Sequence, residues 1–153
     1  MRILFICSGN KGISPIVKSQ AESLKNKGIE LTIFPIIGKG VWGYLKNIAP
    51  LKKQIEAIKP HIIHSHYSYC GIISSIASKK VPVVASLMGS DTHQSKFMKF
   101  IIKYFSDYRW SNTIVKSEDM KIRLGLKNSV VLSNGVDLNL FHPLDKKECR
   151  QKL

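Results

Sequence analysis

The sequence predicts a doubly wound α/β domain built on a parallel sheet, and three observations carry that reading. Short β-branched apolar runs alternate with helical stretches from end to end. The runs are continuously apolar, as strands covered on both faces require. The stretches between them are long enough for crossover helices, which join parallel strands. With 153 residues and 44% hydrophobic content, the chain can bury a core, which excludes a disordered protein.

The elements follow in order. Residues 2–7 form a first strand around Ile3-Leu4-Phe5-Ile6. Residues 15–27 form a helix that Pro15 opens with its preset φ and Gly28 closes. A second strand spans 30–36. A glycine-punctuated loop at 38–40 then leads to helical material over 41–58, which Pro50 is expected to break or restart because proline removes a donor and crowds the preceding turn. Strands at 61–65 and 81–87 flank a helix over 69–78. A helix over 95–108, a strand at 113–116, a short helix ending at Leu124 and a strand at 129–132 complete the pattern. The chain has no internal repeat and no low-complexity tract.

Charge and cysteine content narrow the function classes. The net charge of +14 fits partners that carry phosphate, whether nucleic acid, a lipid surface or a small ligand. Twenty of the 24 basic residues are lysine, however, and arginine is the residue of bidentate base reading, so sequence-specific nucleic-acid binding is not expected. Cys7, Cys70 and Cys149 are odd in number and lack metal-ligand spacing, which predicts reduced thiols. No apolar run approaches the roughly 18 to 20 residues of a membrane span, and the start is too short for a signal-peptide core, so a cytoplasmic protein is expected.

Ligands of such folds lie beyond the carboxyl ends of the strands. The first loop there, Cys7-Ser8-Gly9-Asn10-Lys11-Gly12-Ile13-Ser14-Pro15, is a candidate phosphate cradle: Gly9 and Gly12 allow close backbone approach, and a helix N-terminus follows. The alternative is a tight turn with Ser14 as helix cap. His64 and His66, two apart at a strand end, share a face, but with no carboxylate or cysteine nearby they make no metal site. Asp91, in the loop Met88-Gly89-Ser90-Asp91, is placed to accept hydrogen bonds from ligand hydroxyls, to help orient an attacking group, or else to cap the helix beginning near Ser95. The helix over 95–108 carries Lys96, Lys99 and Lys103 on one side and an apolar arc of roughly 200° on the other, wider than one sheet face needs. That pattern fits an anionic membrane surface, with Tyr108 and Trp110 as interfacial anchors. Trp42 and Tyr44, beside Lys39 and Lys46, form a second aromatic and basic loop suited to a lipid-bearing ligand.

Three stretches in order resemble the family-four (group 1) glycosyltransferases of GT-B type. The strand Pro60-His61-Ile62-Ile63-His64-Ser65-His66 is similar to that family's Pro-Asp-Ile-Ile-His-x-His, with His61 replacing the acidic residue. The loop at 86–91 keeps the Gly89 and Asp91 of Thr-x-His-Gly-x-Asp but has Met88 where the histidine stands, and His93 lies nearby. The string Ser133-Asn134-Gly135-Val136-Asp137, with Phe141-His142-Pro143, resembles the family's interdomain connection.

The resemblance implies a Rossmann-like N-terminal, acceptor-side domain over 1–133, with 134–153 as linker and start of a C-terminal donor-binding domain. It implies retaining transfer of a sugar from a nucleotide-diphosphate donor to a glycan or lipid-linked acceptor, without a metal or other cofactor. Peripheral placement of the cytoplasmic protein at the inner face of a membrane is a separate expectation that rests on the basic amphipathic helix. His66 and Asp91 are the implied catalytic contacts. Gly9, Asn10, Lys11, Gly12, Ser14, Gly89, Ser90 and Asn134 are the implied substrate contacts. The diphosphate-neutralising basic pair and paired glutamates of the family belong to its C-terminal half, so residues 1–153 alone are expected not to transfer sugar.

The first loop also resembles that of the low-molecular-weight tyrosine phosphatases, Cys-x-Gly-Asn-x-Cys-Arg-Ser-Pro. Here Ile13 replaces the arginine and Gly12 the second cysteine, which removes the bidentate donors that phosphoryl transfer needs. A third class, a basic module docking on membrane or acidic glycan, follows from the lysine-rich faces.

Overall fold

The computed structural model describes residues 1–136, 138, 141 and 143–151; Asp137 and His142 of the expected join lie outside them. Six parallel strands form one sheet in the order β2-β1-β3-β4-β5-β6: β1 Arg2–Ser8, β2 Glu30–Ile36, β3 Ile62–His66, β4 Val83–Ser86, β5 Asn112–Val115 and β6 Ser129–Val131. The α/β class, the parallel sheet and the alternation of elements agree with the sequence reading.

The helices are α1 Pro15–Lys25, α2 Gly40–Leu45, α3 Ile48–Ile58, α4 Ser68–Ala77, α5 Lys96–Tyr108, α6 Glu118–Leu124 and α7 Lys146–Gln151. Pro15 does occupy the first turn of α1, and Gly28 takes φ 79° just beyond its end, where a left-handed residue stops a helix. The 41–58 stretch is interrupted and restarts with Pro50 near the start of the second helix, the second of the two expected outcomes. The interruption falls at Lys46 and Asn47, and Pro50 sits in the first turn of α3, where its missing N–H has no intrahelical partner to lose.

Winding direction sorts the helices between the two faces. From β1 the chain steps outward to β2, then returns past β1 to β3 and continues to β6. Right-handed crossovers put the connection of the outward step on one face and all the later connections on the other. Accordingly Val17 and Ala21 of α1 pack on Ile3, Phe5 and Cys7, while α3 to α6 pack on the opposite face with Leu4, Ile6, Ile63, Ala85 and Val115.

The expected coverage of both faces is therefore met only in part. On the α1 side, Val130 and Leu132 are exposed and Val84 and Ile114 only half-buried, because one helix cannot span six strands.

The central helix, α4, is buried along most of its length and approaches the sheet closely through small residues. Ser74 and Ser65 share a hydrogen bond of 2.8 Å, and Ser74 also donates to the Cys70 carbonyl. Ser106 of α5 and Thr113 of β5 make a similar hydroxyl pair. These pairs satisfy polar groups that burial would otherwise penalise. Trp110, expected as a surface anchor, is buried against α4, and a Cβ at Gly71 would lie 2.8 Å from its ring. Gly71→Ala is thus expected to lower unfolding stability by about 1–3 kcal/mol through overpacking. Gly89→Ala, with open space around its Cβ position, should stay within about 0.5 kcal/mol of the parent. Urea titration of the two variants, followed by circular dichroism, measures the difference.

Candidate functional site

The reversal of winding at β1 leaves a crevice between the loops that follow β1 and β3, the place where open α/β sheets bind ligands. Around it, at the carboxyl edge, lie the β1–α1 loop, the end of β3, the 3₁₀ turn Gly89–His93 and the chain leaving β6. All the sequence-predicted site residues fall on this edge.

The first loop is held internally. Gly9 N–H donates to the Ile36 carbonyl at 2.8 Å, and a Cβ there would meet the Pro35 Cβ at 2.6 Å, so glycine is required by the close approach of β2. Gly12, at φ 79°, donates its N–H to the Gly9 carbonyl. The expected cradle is corrected accordingly, because both of its amides already have partners within the protein. Asn10 likewise clasps the β2 loop, its amide donating to the Gly38 carbonyl and accepting from Gly38 N–H, both at 2.7 Å. Ser14 caps α1 by accepting from Val17 N–H. Lys11 alone of the loop's expected contacts is an exposed cation.

Cys7 is buried among Ile3, Phe5 and Val17, and burial pushes its thiol pKa up, the opposite of what a phosphatase nucleophile needs.

His66 and Asp91 lie on opposite sides of the sheet end. The His66 ring stacks on His64, with centroids 4.5 Å apart, and packs against Phe5 at 4.7 Å on the α1 side. Neither ring nitrogen of His66 has a hydrogen-bond partner among the described residues. Burial, with mutual repulsion and the Lys116 ammonium, lowers His66 to about 3; burial and Lys116 lower His64 to about 4. Both are neutral at pH 7. Lys116 itself, half-buried and with its pKa lowered by burial, donates to the Ser86 hydroxyl at 3.1 Å.

Asp91 is wholly buried. It accepts from Met88 N–H at 2.7 Å and, more loosely, from Ser68 N–H at 3.4 Å. Ser68 opens α4, and the preceding Tyr67 makes no side-chain cap, so the Asp91 carboxylate serves the helix N-terminus from a distance. Asp91 does cap a helix, but α4 and not α5, whose cap is Ser95. Burial raises its pKa despite these donors. Gly89, Ser90, His93 and Asn134 are exposed around this buried framework.

Sequence reasoning missed Tyr67. Its backbone sits at φ 95°, ψ 145°, a region that costs a non-glycine residue about 1–3 kcal/mol and is favoured at binding sites. Its N–H donates to the Ser86 carbonyl at 2.9 Å, and its hydroxyl accepts from the Gln94 amide at 2.8 Å. Tyr69 stands 5.4 Å from both Tyr67 and Tyr44, which makes an aromatic rim, and Trp42 of the same helix as Tyr44 is exposed. A tyrosine carries no sequence signal for such a backbone; only the strand-to-helix junction at His66-Tyr67-Ser68 marks the place.

The histidine environment fixes a pH dependence. The folded pKa values lie below the free value of 6.5, so the histidines' contribution is present above pH 6.5 and is lost as pH falls towards 4 and 3. For His64 the full effect is on the order of 3 kcal/mol. Asp91 has the opposite sign, since its raised pKa favours folding in acid. The urea midpoint is expected to fall between pH 6.5 and 4, and His66→Phe should make that fall shallower. A midpoint that is flat over this range in the parent protein would contradict the assignment.

The sequence profile of the family described as "Glycosyl transferase 4-like" matches residues 3–117. No curated protein sequence matches the chain. Among solved structures, Anabaena Alr3699/HepE in complex with UDP and glucose is similar over 99% of this chain and 50% of its own, at 23% identity and TM-score 0.66. Sucrose-phosphate synthase from Thermosynechococcus elongatus is similar over 100% of this chain and 53% of its own, at 13% identity and TM-score 0.73. UDP-GlcNAc 2-epimerase from Methanocaldococcus jannaschii is similar over 88% and 46%, at 16% identity and TM-score 0.64. The chain spans about half the length of these structures, and at such identities the likeness is one of fold.

Proposed function

The chain belongs to the glycosyl transferase 4-like family, and from that premise we propose that it is the acceptor-side half of a GT-B glycosyltransferase. The reaction is retaining transfer of a sugar from a nucleotide-diphosphate donor to a glycan or lipid-linked acceptor. The observation that carries this reading is the convergence, within a Rossmann-like half-domain, of the β1, β3 and β4 loops on one crevice inside the matched residues.

The residues divide into a framework and a contact surface. Asp91, Asn10 and Asn47 hold loops by hydrogen bonds to backbone, Asn47 through the Ile37 and Gly43 carbonyls. His66, neutral and buried, fixes the end of β3 beneath the crevice. Lys11, Gly89 and Ser90, together with Asn134, are the exposed groups that meet substrate. Lys11 supplies a charge for the donor diphosphate, and Ser90 a hydroxyl for sugar hydrogen bonds. Asp91 and His66 act here as positioning residues. The tyrosine rim and Trp42 offer flat apolar faces to a sugar ring or a lipid-linked acceptor. Solved relatives bearing UDP or UDP-glucose support a nucleotide-sugar donor.

Titration of isotopically labelled protein with oligosaccharide acceptors is expected to shift the amide resonances of Gly12, Gly89 and Ser90 while leaving those of α3 in place. Incubation of residues 1–153 with UDP-glucose and the same acceptors should give no product. Turnover by this chain alone would overturn the half-domain assignment, and unmoved crevice amides would overturn the acceptor-side role.

A further inference from the structure

We propose that the groove between α1 and the chain leaving β6 binds a phosphorylated sugar, with Lys116 and Ser86 holding its phosphoryl group. The groove lies on the thinly covered α1 face and encloses about 600 Å³, within the range of small-molecule sites. Ser86 and Lys116 lie in its floor, Ser19, Gln20 and Ser23 of α1 form one wall, and the 132–136 segment forms the other. The crevice residues Lys11, Gly89 and Ser90 do not line it. Strand register explains why polar groups meet here. His66 of β3 is the direct neighbour of Ser86 in β4, on strands about 4.8 Å apart, and both side chains point to the α1 face. Lys116, one residue past β5, reaches the same face and donates to the Ser86 hydroxyl at 3.1 Å.

Unfilled bonding capacity and charge select the occupant. His66 is 2% exposed, yet both of its ring nitrogens lack partners among the described residues, a state rare enough for buried polar atoms to call for one. The Lys116 ammonium has three donors, and the ion pairs among the described residues, Lys103 with Asp107 and Arg123 with Asp119, do not include it. Lys116 is also the one cation among the described residues that line the groove, and the first turn of α1, the positive end of that helix, reaches the same space through Ile16. The one acid among them, Glu22, is exposed and stands six residues, about 9 Å, further along α1. An oxyanion therefore meets an ammonium and a hydroxyl at the carboxyl end of the groove. Further along, the hydroxyls and amide of Ser19, Gln20 and Ser23 suit the hydroxyls of a sugar, which an inorganic anion lacks. A neutral imidazole presents one N–H and one acceptor nitrogen, so His66 is equipped to donate to the oxyanion and to accept from a sugar hydroxyl.

The test is titration of the nitrogen-labelled chain at pH 7 with glucose 6-phosphate, inorganic phosphate and glucose, followed through amide and imidazole resonances. It reads binding alone, and so stands or falls apart from the transferase reading. Glucose 6-phosphate should shift the amides of Ser23, Ser86, Lys116 and Ser133 and the ring nitrogens of His66. Inorganic phosphate should shift Ser86 and Lys116 more weakly, and glucose should shift none of them. Lys116→Gln, checked for folding by circular dichroism, should weaken glucose 6-phosphate binding by roughly tenfold or more, as loss of a charge-assisted hydrogen bond implies. Ser86→Ala, which keeps the charge, should weaken it by a smaller factor. Lys52→Gln/Lys53→Gln, two exposed lysines on α3 at the opposite face, should leave it unchanged. The proposal is overturned if glucose 6-phosphate moves no groove amide, if it moves Lys11 and Gly12 instead, or if folded Lys116→Gln binds as the parent does. Equal affinity for glucose would overturn recognition of the phosphoryl group, and equal affinity for inorganic phosphate would overturn recognition of the sugar.

Discussion

The right-handedness of parallel crossovers is the constraint from which most of this structure follows. Because β1 lies inside the sheet, with β2 on one side and β3 on the other, the chain must reverse its lateral direction once. That reversal sends α1 alone to one face and α3 to α6 to the other. It opens a crevice between the loops after β1 and β3, and it leaves the β4 to β6 part of the α1 face thinly covered. A core mutation that slipped the register of β1 would disturb both faces at once, since Leu4 and Ile6 serve one cluster and Ile3, Phe5 and Cys7 the other.

The crevice is built from polar groups that are mostly consumed in building it. Asn10 bonds the β1 loop to the β2 loop, Asn47 bonds the same loop to α2, and Asp91 joins the β4 loop to the start of α4. Each replaces solvent by a fixed protein partner, so these loops can present Lys11, Gly89 and Ser90 in one arrangement without reorganising. The strained backbone of Tyr67 is tolerated because its N–H and hydroxyl are both engaged. The buried neutral histidine pair then gives the end of β3 a sensitivity to acid.

The positive charge of the chain is spread over many helices, and most of it is solvated surface. Its meaning changes at α5, where cations border uncovered aromatic side chains. Lysines elsewhere, such as Lys52 and Lys53 on α3, lack such neighbours among the exposed large apolar residues of their own helix.

The fold class, the order of elements and the placement of the candidate residues at the carboxyl edge were legible in the sequence, because apolar periodicity, Pro15, Gly28 and the loop glycines act locally. So was the amphipathic excess of α5, which depends only on helical spacing. Tertiary structure alone decided what each candidate side chain does. Gly9, Asn10 and Asp91 read as ligand contacts, yet they are occupied by Pro35, Gly38, Met88 and Ser68, partners that the chain brings near only on folding. Trp110 read as a surface anchor and is a core residue because Gly71 makes room for it. Pro50 read as a break or a restart, and packing decided for the restart, with Pro50 in the first turn of α3 after Asn47 ends the preceding segment. Sequence pattern reports which face of an element is apolar, but burial and hydrogen-bond partnership belong to pairs of elements, and only packing assigns those.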